Sequence, residues 1–132
     1  MPAMHAFDYA LVRVVPRVER GEFVNAGVIL FSRTAQFLGA RIGLDAARLS
    51  ALALSIDQEV VRGYLDAIPR ICAGGDEAGP IGLLSQSERF HWLVAPRSTI
   101  IQTSPVHSGV HADPEAALDN LFRRLVAAQA GQ

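Results

Sequence analysis

The sequence predicts a single α+β domain, built on an antiparallel sheet of three to four strands with helices packed against it. The first third of the chain is rich in the aromatic and β-branched residues of strands, and most of the remainder shows helical spacing of apolar residues. Half of the 132 residues are hydrophobic and 19% are charged, so the chain can bury its own core. Because no linker or internal repeat divides it, we expect residues 1–132 to form one domain.

Three strands are expected first. The segment Phe7–Val15 ends at Pro16, which cannot donate to a strand ladder. The segment Phe23–Ser32 is apolar on both faces, as in a central strand that is covered on both sides. A short polar connection then leads to Gln36–Ile42, so the three segments predict an antiparallel meander.

Helical spacing follows the meander. Leu44–Leu54 predicts a short helical segment, and Val60–Cys72 predicts a longer helix with Asp57 as its cap. Pro69 lies inside the second pattern. Since proline removes a backbone hydrogen bond and crowds the preceding turn, we expect this helix to kink or end near Ile68.

The second half of the chain is less regular. Ser85–Val94 fits a short helix or an irregular packed segment equally well. Thr99–Thr103 predicts a fourth strand, and residues 104–112 predict a loop. Asp113 at a cap position, followed by Pro114 at the first helical position, predicts the start of the last helix.

Composition restricts the compartment and the class of partner. The formal net charge is −1 and all twelve basic residues are arginine, which argues against attraction of the whole domain to nucleic acid or to an anionic membrane. Cys72 is the single cysteine, and its place in an apolar helical pattern predicts a packing role. With no signal-peptide pattern and no apolar run long enough for a membrane helix, we expect a cytoplasmic protein.

The opening hairpin brings together the first candidate residues. If its turn centres near Glu19, Arg13 lies opposite Asn25, and directly opposed residues of antiparallel strands share a face. A guanidinium and a carboxamide would then meet among apolar neighbours, with Glu22 nearby as a counter-charge.

A second hairpin that turns near Arg33 would place Arg41 opposite Asn25 as well. Gly27 on the same face would leave room for a ligand or for the close approach of a helix. Two interpretations stay open: the polar groups satisfy one another, or Arg13 and Arg41 line a pocket for an anion. They differ in whether a guanidinium is left without a protein partner.

Two histidines mark a second candidate region. His107 and His111 are four residues apart, and Asp113 could add a carboxylate if a turn converged them on a metal. Alternatively, His107 contacts a ligand, or the segment is a structural loop. Spacing in a loop does not fix a metal geometry, so we expect neither a metal nor a cofactor.

Recognised catalytic motifs are absent from the sequence. It contains no Gly-x-Ser-x-Gly, Gly-x-x-x-x-Gly-Lys or Gly-x-Gly-x-x-Gly pattern, which argues against a nucleotide-hydrolysing or dinucleotide enzyme. Whether the protein is an enzyme of another kind stays open. Trp92, beside His91, either stacks on a base or anchors a loop to the core.

Several short motifs are spread over nearly the whole chain. They are Tyr9 with Arg13-Val14-Val15-Pro16, then Glu22-Phe23-Val24-Asn25-Ala26-Gly27-Val28-Ile29-Leu30, and later Arg97 through Thr103, Asp113-Pro114 and the helix Leu118 to Val126. In these motifs the chain resembles a bacterial family catalogued as domain of unknown function 3037. The Glu-x-x-Asn-x-Gly-Val core is the most specific part of the resemblance.

The resemblance implies an association with another protein rather than a known activity. The family has no established activity and assigns no catalytic residue, but its members are often encoded beside a protein similar to the HipA-type serine/threonine kinases. This implies a non-catalytic accessory domain that binds a HipA-like kinase, and self-association into a homodimer through exposed strand edges is a further expectation. The alternative is a small-anion binder or enzyme that uses Arg13, Asn25 and Arg41, with His107.

Overall fold

The structure is a computed structural model, which describes residues 3–97 and 99–127. These residues form one sheet and four α-helices, which confirms the α+β class. The strands are β1 (His5–Val14), β2 (Val24–Ser32), β3 (Phe37–Ile42), β4 (Ile101–Thr103) and β5 (His107–His111). The α-helices are α1 (Ala46–Leu52), α2 (Gln58–Ala73), α3 (Gln86–Val94) and α4 (Pro114–Phe122). Two 3-10 segments, Val18–Arg20 and Asp76–Leu83, lie in connections, and a π-helical turn, Arg123–Ala127, extends α4.

All five strands belong to one antiparallel sheet. β2 lies between β3 and β1, which confirms the meander and the central place of the second strand. The outer side of β1 is shared, because β4 pairs with its C-terminal part and β5 with its N-terminal part. The sheet therefore ends in β3 on one side and in β4 and β5 on the other.

The fifth strand corrects two expectations, the number of strands and the loop at residues 104–112. β5 lies within that segment and pairs with residues His5–Tyr9 of β1. Its sequence is polar and contains Gly109, so it lacks the composition of a strand. Phe7 explains the glycine, since a Cβ there would lie 2.6 Å from the end of the Phe7 ring.

Helices cover both faces of the sheet and enclose two hydrophobic cores. On one face α1, α2 and α3 pack against the sheet, and this core includes Val12, Leu65 and Phe90. On the other face α4 packs mainly over β2 and β3, and this core includes Leu30 and Leu118. We call the two sides the α2–α3 face and the α4 face.

Side-chain caps mark the starts of α2, α3 and α4. The carboxylates of Asp57 and Asp113 each accept hydrogen bonds from two backbone N–H groups of the following turn, and Pro114 is the first residue of α4, as predicted. Ser85 and Glu88 form a reciprocal capping box that makes α3 a helix, which decides the ambiguous segment. Among the described residues, no helix has the length and the apolar character needed to cross a bilayer.

Pro69 does not end α2, so of the two expected outcomes, a kink or an end near Ile68, the end is wrong. The helix continues to Ala73, with Pro69 exposed to solvent. Ile68 and Cys72, one turn apart, are both buried in the core of the α2–α3 face. Burial on both sides of the proline therefore outweighs the hydrogen bond that it removes.

Candidate functional site

Arg13 and Asn25 lie opposite each other on β1 and β2, as predicted. The strand register shifts beside this pair, where Ala26 is the extra residue of a β-bulge. Because side chains alternate along a strand, Arg13 shares the α4 face with Leu11. The guanidinium and the carboxamide are therefore neighbours on one face of the sheet.

An aromatic ring, rather than an acid, holds the Arg13 side chain. Its guanidinium carbon lies 4.2 Å from the centroid of the Phe23 ring. Arg13 Nε and Asn25 Oδ1 are both buried without a hydrogen-bond partner. Asn25 Nδ2 donates a hydrogen bond to the backbone carbonyl of Leu125 at 3.4 Å, and this bond orients the side-chain amide. A buried donor and a buried acceptor on opposed residues thus remain unpaired, which is uncommon.

Arg41 lies apart from this pair, so the predicted register of the second hairpin is wrong. It faces Val28 rather than Asn25, because residues 33–36 form a longer connection than a tight turn near residue 33. The Arg41 Nε donates to Asp119 at 2.8 Å, and a terminal nitrogen lies 3.4 Å from the carboxylate of Glu115. Arg41 therefore joins β3 to α4 instead of lining a pocket with Arg13.

Glu22 also has another partner. It accepts a hydrogen bond from Arg20 Nε at 2.5 Å in the turn between β1 and β2. This hydrogen bond, with the attraction between the two charges, raises the pKa of Arg20. Glu22 is thus paired with Arg20 rather than with Arg13.

The space expected beside Gly27 is filled by β3. A Cβ at Gly27 would lie 2.6 Å from Ile42 Cδ1 and 2.7 Å from the carbonyl oxygen of Arg41. The glycine therefore permits close approach of the neighbouring strand, and the expectation of room for a ligand at this position is wrong.

His107 and His111 do not converge. His107 faces Tyr9 across the strands, with the ring centroids 5.4 Å apart. His111 faces His5, and its Nδ1 accepts a hydrogen bond from the backbone N–H of Asp113 at 2.8 Å. Four residues of a strand span about 13 Å, so these two imidazoles are too far apart to share one metal ion.

A recess of about 170 Å³ lies beside Asn25, at the end of β2. Phe122 and Val126 form an apolar wall, and Asp45 and Arg48 contribute from the start of α1. The Asp45 carboxylate caps α1 by accepting from the backbone N–H of Arg48 at 3.1 Å. Asp45 is thus committed to the helix cap.

Cys72 has the chemistry of a packing residue, as predicted. It is buried, and this burial raises the pKa of the thiol to about 12, although the nearby charge of Arg89 opposes the shift. The thiol therefore stays protonated at neutral pH and is a poor nucleophile.

The structure also contains a groove that the sequence did not indicate, between α2, α3 and β4 at the edge of the sheet. It has a volume of about 230 Å³. Its floor is apolar, with Ile68, Ile71, Leu93 and Ile101, and its rim includes Tyr64, Trp92 and Arg97. We call it the aromatic groove. Tyr64 and Trp92 are 55% and 41% exposed, respectively.

Arg97 holds one side of the aromatic groove in place. Its guanidinium carbon lies 4.5 Å from the ring centroid of Trp92. Its terminal nitrogens donate to the carbonyls of Trp92 at 2.6 Å and Leu93 at 3.0 Å. These carbonyls lie in the last turn of α3, where acceptors lack helical partners and a cation is favoured. Trp92 thus keeps a fixed position while its ring remains accessible.

A sequence model of the family described as protein of unknown function (DUF3037) matches residues 9–126. The chain belongs to this family. Searches among curated proteins and among solved structures found no significant match. In this DUF3037 domain, the segment Glu22–Leu30 forms the end of the first turn and most of β2, including the bulge. It thereby builds the part of the sheet where Arg13 and Asn25 face each other.

Proposed function

We propose that this DUF3037 domain is a non-catalytic binding module that docks another protein in the aromatic groove. The observation that carries the proposal is the exposure of Tyr64 and Trp92, beside the half-buried Arg97, around an apolar floor. Tyr, Trp and Arg are the residue types that most often dominate the binding energy of protein interfaces. We also assign the protein to the cytoplasm, where a single thiol such as Cys72 stays reduced.

Preorganisation makes Trp92 suitable as an anchor. The stacked guanidinium of Arg97, fixed by two backbone carbonyls, limits the positions that the indole can take. Less side-chain entropy is then lost when a partner covers the ring. An exposed but ordered tryptophan therefore favours binding more than a freely rotating one would.

The chemistry of the groove specifies its occupant. The floor fits one apolar side chain, and Arg97 is the one charged residue among the described lining residues. A positive charge at the rim favours a carboxylate on the partner. The occupant is thus a protein segment with an apolar anchor next to an acidic residue.

The partner that we propose is a HipA-type kinase. The support is the association that the family resemblance implies, together with the lack of catalytic motifs in the sequence. A second copy of this chain is the competing occupant, and the experiment separates the two.

Binding calorimetry with the purified chain and a purified HipA-type kinase from the same genome tests the proposal. We expect a 1:1 complex that Trp92→Ala weakens by at least about tenfold, because the loss of an interface anchor costs about 2 kcal/mol. Leu54→Ala is the matched control, since Leu54 is 90% exposed and lies outside the groove. This control should bind like the unchanged chain.

Each outcome decides one part of the proposal. No binding by the unchanged chain contradicts the kinase as partner, and dimerisation that Trp92→Ala abolishes assigns the groove to a second copy. Equal binding by Trp92→Ala and Leu54→Ala contradicts the groove as the docking site. Circular dichroism of both variants establishes that they are folded.

A further inference from the structure

Three polar side chains form a row across the end of the sheet on the α4 face. Arg13 of β1 has Asn25 of β2 on one side and Gln102 of β4 on the other. Residues paired in this way share a face, so a guanidinium lies between two carboxamides. No acidic side chain pairs with Arg13 among the described residues.

The helix on this face leaves part of the row open. α4 packs mainly over β2 and β3, whereas the row extends to β1 and β4. Arg13 and Gln102 are accordingly only partly buried. A small solute can therefore approach Arg13 from the side that α4 does not cover.

The polar groups of this row do not all pair with one another, so hydrogen-bonding capacity is left for a ligand. Phe23 holds one face of the guanidinium, and Arg13 Nε and Asn25 Oδ1, on opposed residues, are both buried without a hydrogen-bond partner. Gln102 uses Nε2 to donate to the carbonyl of Thr99 at 2.9 Å. Each amide nitrogen thus donates one hydrogen bond within the protein, and the row places the Arg13 guanidinium donor between two carboxamides, of which Gln102 lies on the open side.

We propose that Arg13 is the centre of a binding site for a small oxyanion that also carries a hydrogen-bond donor. The guanidinium binds the oxyanion through its planar fork of N–H groups, and a hydroxyl or protonated oxygen of the ligand donates to a carboxamide oxygen. Monohydrogen phosphate and hydroxycarboxylates have this combination, whereas sulfate and simple carboxylates lack the donor. Gln102 also lines the edge of the aromatic groove, whereas Arg13 and Asn25 do not, so variants of Arg13 test this site separately from the proposed docking function.

An NMR titration of the ¹⁵N-labelled chain at constant ionic strength tests the site. The probes are inorganic phosphate and glycolate, with sulfate and acetate as their counterparts without a donor. We expect saturable shifts of the amide signals of Arg13 and Asn25, with phosphate bound more tightly than sulfate and glycolate more tightly than acetate. Arg13→Gln should weaken phosphate binding by at least about tenfold, because charge-assisted hydrogen bonds are lost.

Two further variants keep the test decisive. Arg17→Gln removes an exposed arginine from the turn after β1 and should leave the titration unchanged. Arg13→Lys keeps the charge but not the planar fork, and it should bind more weakly than the unchanged chain even if Arg13→Gln does not fold. Equal shifts with phosphate and sulfate, or an unchanged titration in either Arg13 variant, would overturn the proposal.

Discussion

Replacing Arg89 by methionine tests whether one buried cation holds α2, α3 and the segment between them together. Arg89 lies on α3 and is 8% exposed. Its guanidinium donates to the carbonyls of Ile71 at 2.8 Å and Cys72 at 2.6 Å, and its Nε donates to that of Leu84 at 3.0 Å. The first two carbonyls belong to the last turn of α2, where they lack helical partners.

The size of the effect follows from these three contacts. Methionine keeps the apolar stem, so the change removes mainly the donors and leaves three acceptors without them. A hydrogen bond to a charged group contributes about 1.5–3 kcal/mol, and water regains access to part of the site. We therefore expect Arg89→Met to lower the free energy of unfolding by about 3–5 kcal/mol, as for other broken buried charge contacts.

Urea unfolding followed by circular dichroism measures this loss. Arg62→Met is the matched control, since Arg62 is an exposed arginine on α2 whose replacement should change the free energy of unfolding by less than about 0.5 kcal/mol. A loss below about 1 kcal/mol for Arg89→Met would refute the reasoning, because the carbonyls would then be satisfied without the guanidinium.

Three other changes test separate contacts. Gly27→Ala should lower the free energy of unfolding by about 2 kcal/mol or more, because its Cβ would meet the backbone oxygen of Arg41 at 2.7 Å. Gly63→Ala is the control, because nothing lies within 4 Å of its Cβ, and it should raise the free energy of unfolding by about 0.5–1 kcal/mol. Equal effects of the two changes in urea unfolding would contradict the close packing at Gly27. The thiol of Cys72 has a pKa raised from 9.0 to about 12 in the folded chain, so its contribution to stability is complete below pH 9 and declines between pH 9 and 12, by at most about 1.4 kcal/mol per pH unit. Cys72→Ala should lack this alkaline component in unfolding measured from pH 8 to 11, and an identical pH dependence would contradict the burial of the thiol. Arg41→Gln should cost less than about 1 kcal/mol and less still at 1 M salt, since the carboxylates of Asp119 and Glu115 are 51% and 64% exposed; a larger, salt-independent loss in urea unfolding would show that these ion pairs are not solvated.

Local chemistry made the meander and the helix starts predictable. Aromatic and β-branched runs marked β1 and β2, and Pro16 follows β1 closely. Asp57 and Asp113 are caps because a short carboxylate reaches the N–H groups of the next turn whatever the tertiary context. These signals depend on residues close in sequence.

The features that sequence did not reveal depend on distant contacts. β5 is a strand because β1 offers a free edge and Phe7 packs over Gly109, and neither fact is local to residues 107–111. α2 passes through Pro69 because burial continues beyond it. The register of Arg41 required the length of a connection that contains no decisive turn signal.

The candidate sites also differ in whether neighbouring or distant parts of the sequence form them. The pairing of Arg13 with Asn25 followed from a turn centred near Glu19, and the bulge at Ala26, which shifts the register of the rest of the hairpin, was not predictable from this turn. The aromatic groove joins α2, α3 and β4, which are separated in sequence. The spacing of Trp92 and Arg97, five residues apart, only weakly predicts their contact. The guanidinium can fold back on the indole because α3 ends between the two residues, and the sequence left the structure of this segment open.

The most direct test of the docking proposal uses Trp92, the single tryptophan of the chain. When the chain is labelled with 5-fluorotryptophan, its ¹⁹F spectrum has one resonance, which reports the surroundings of this ring. We predict that a saturating amount of unlabelled HipA-type kinase shifts this resonance and reduces its solvent isotope shift, because the partner covers the indole. A complex that forms in calorimetry while the resonance keeps its position and its isotope shift would contradict docking in the aromatic groove.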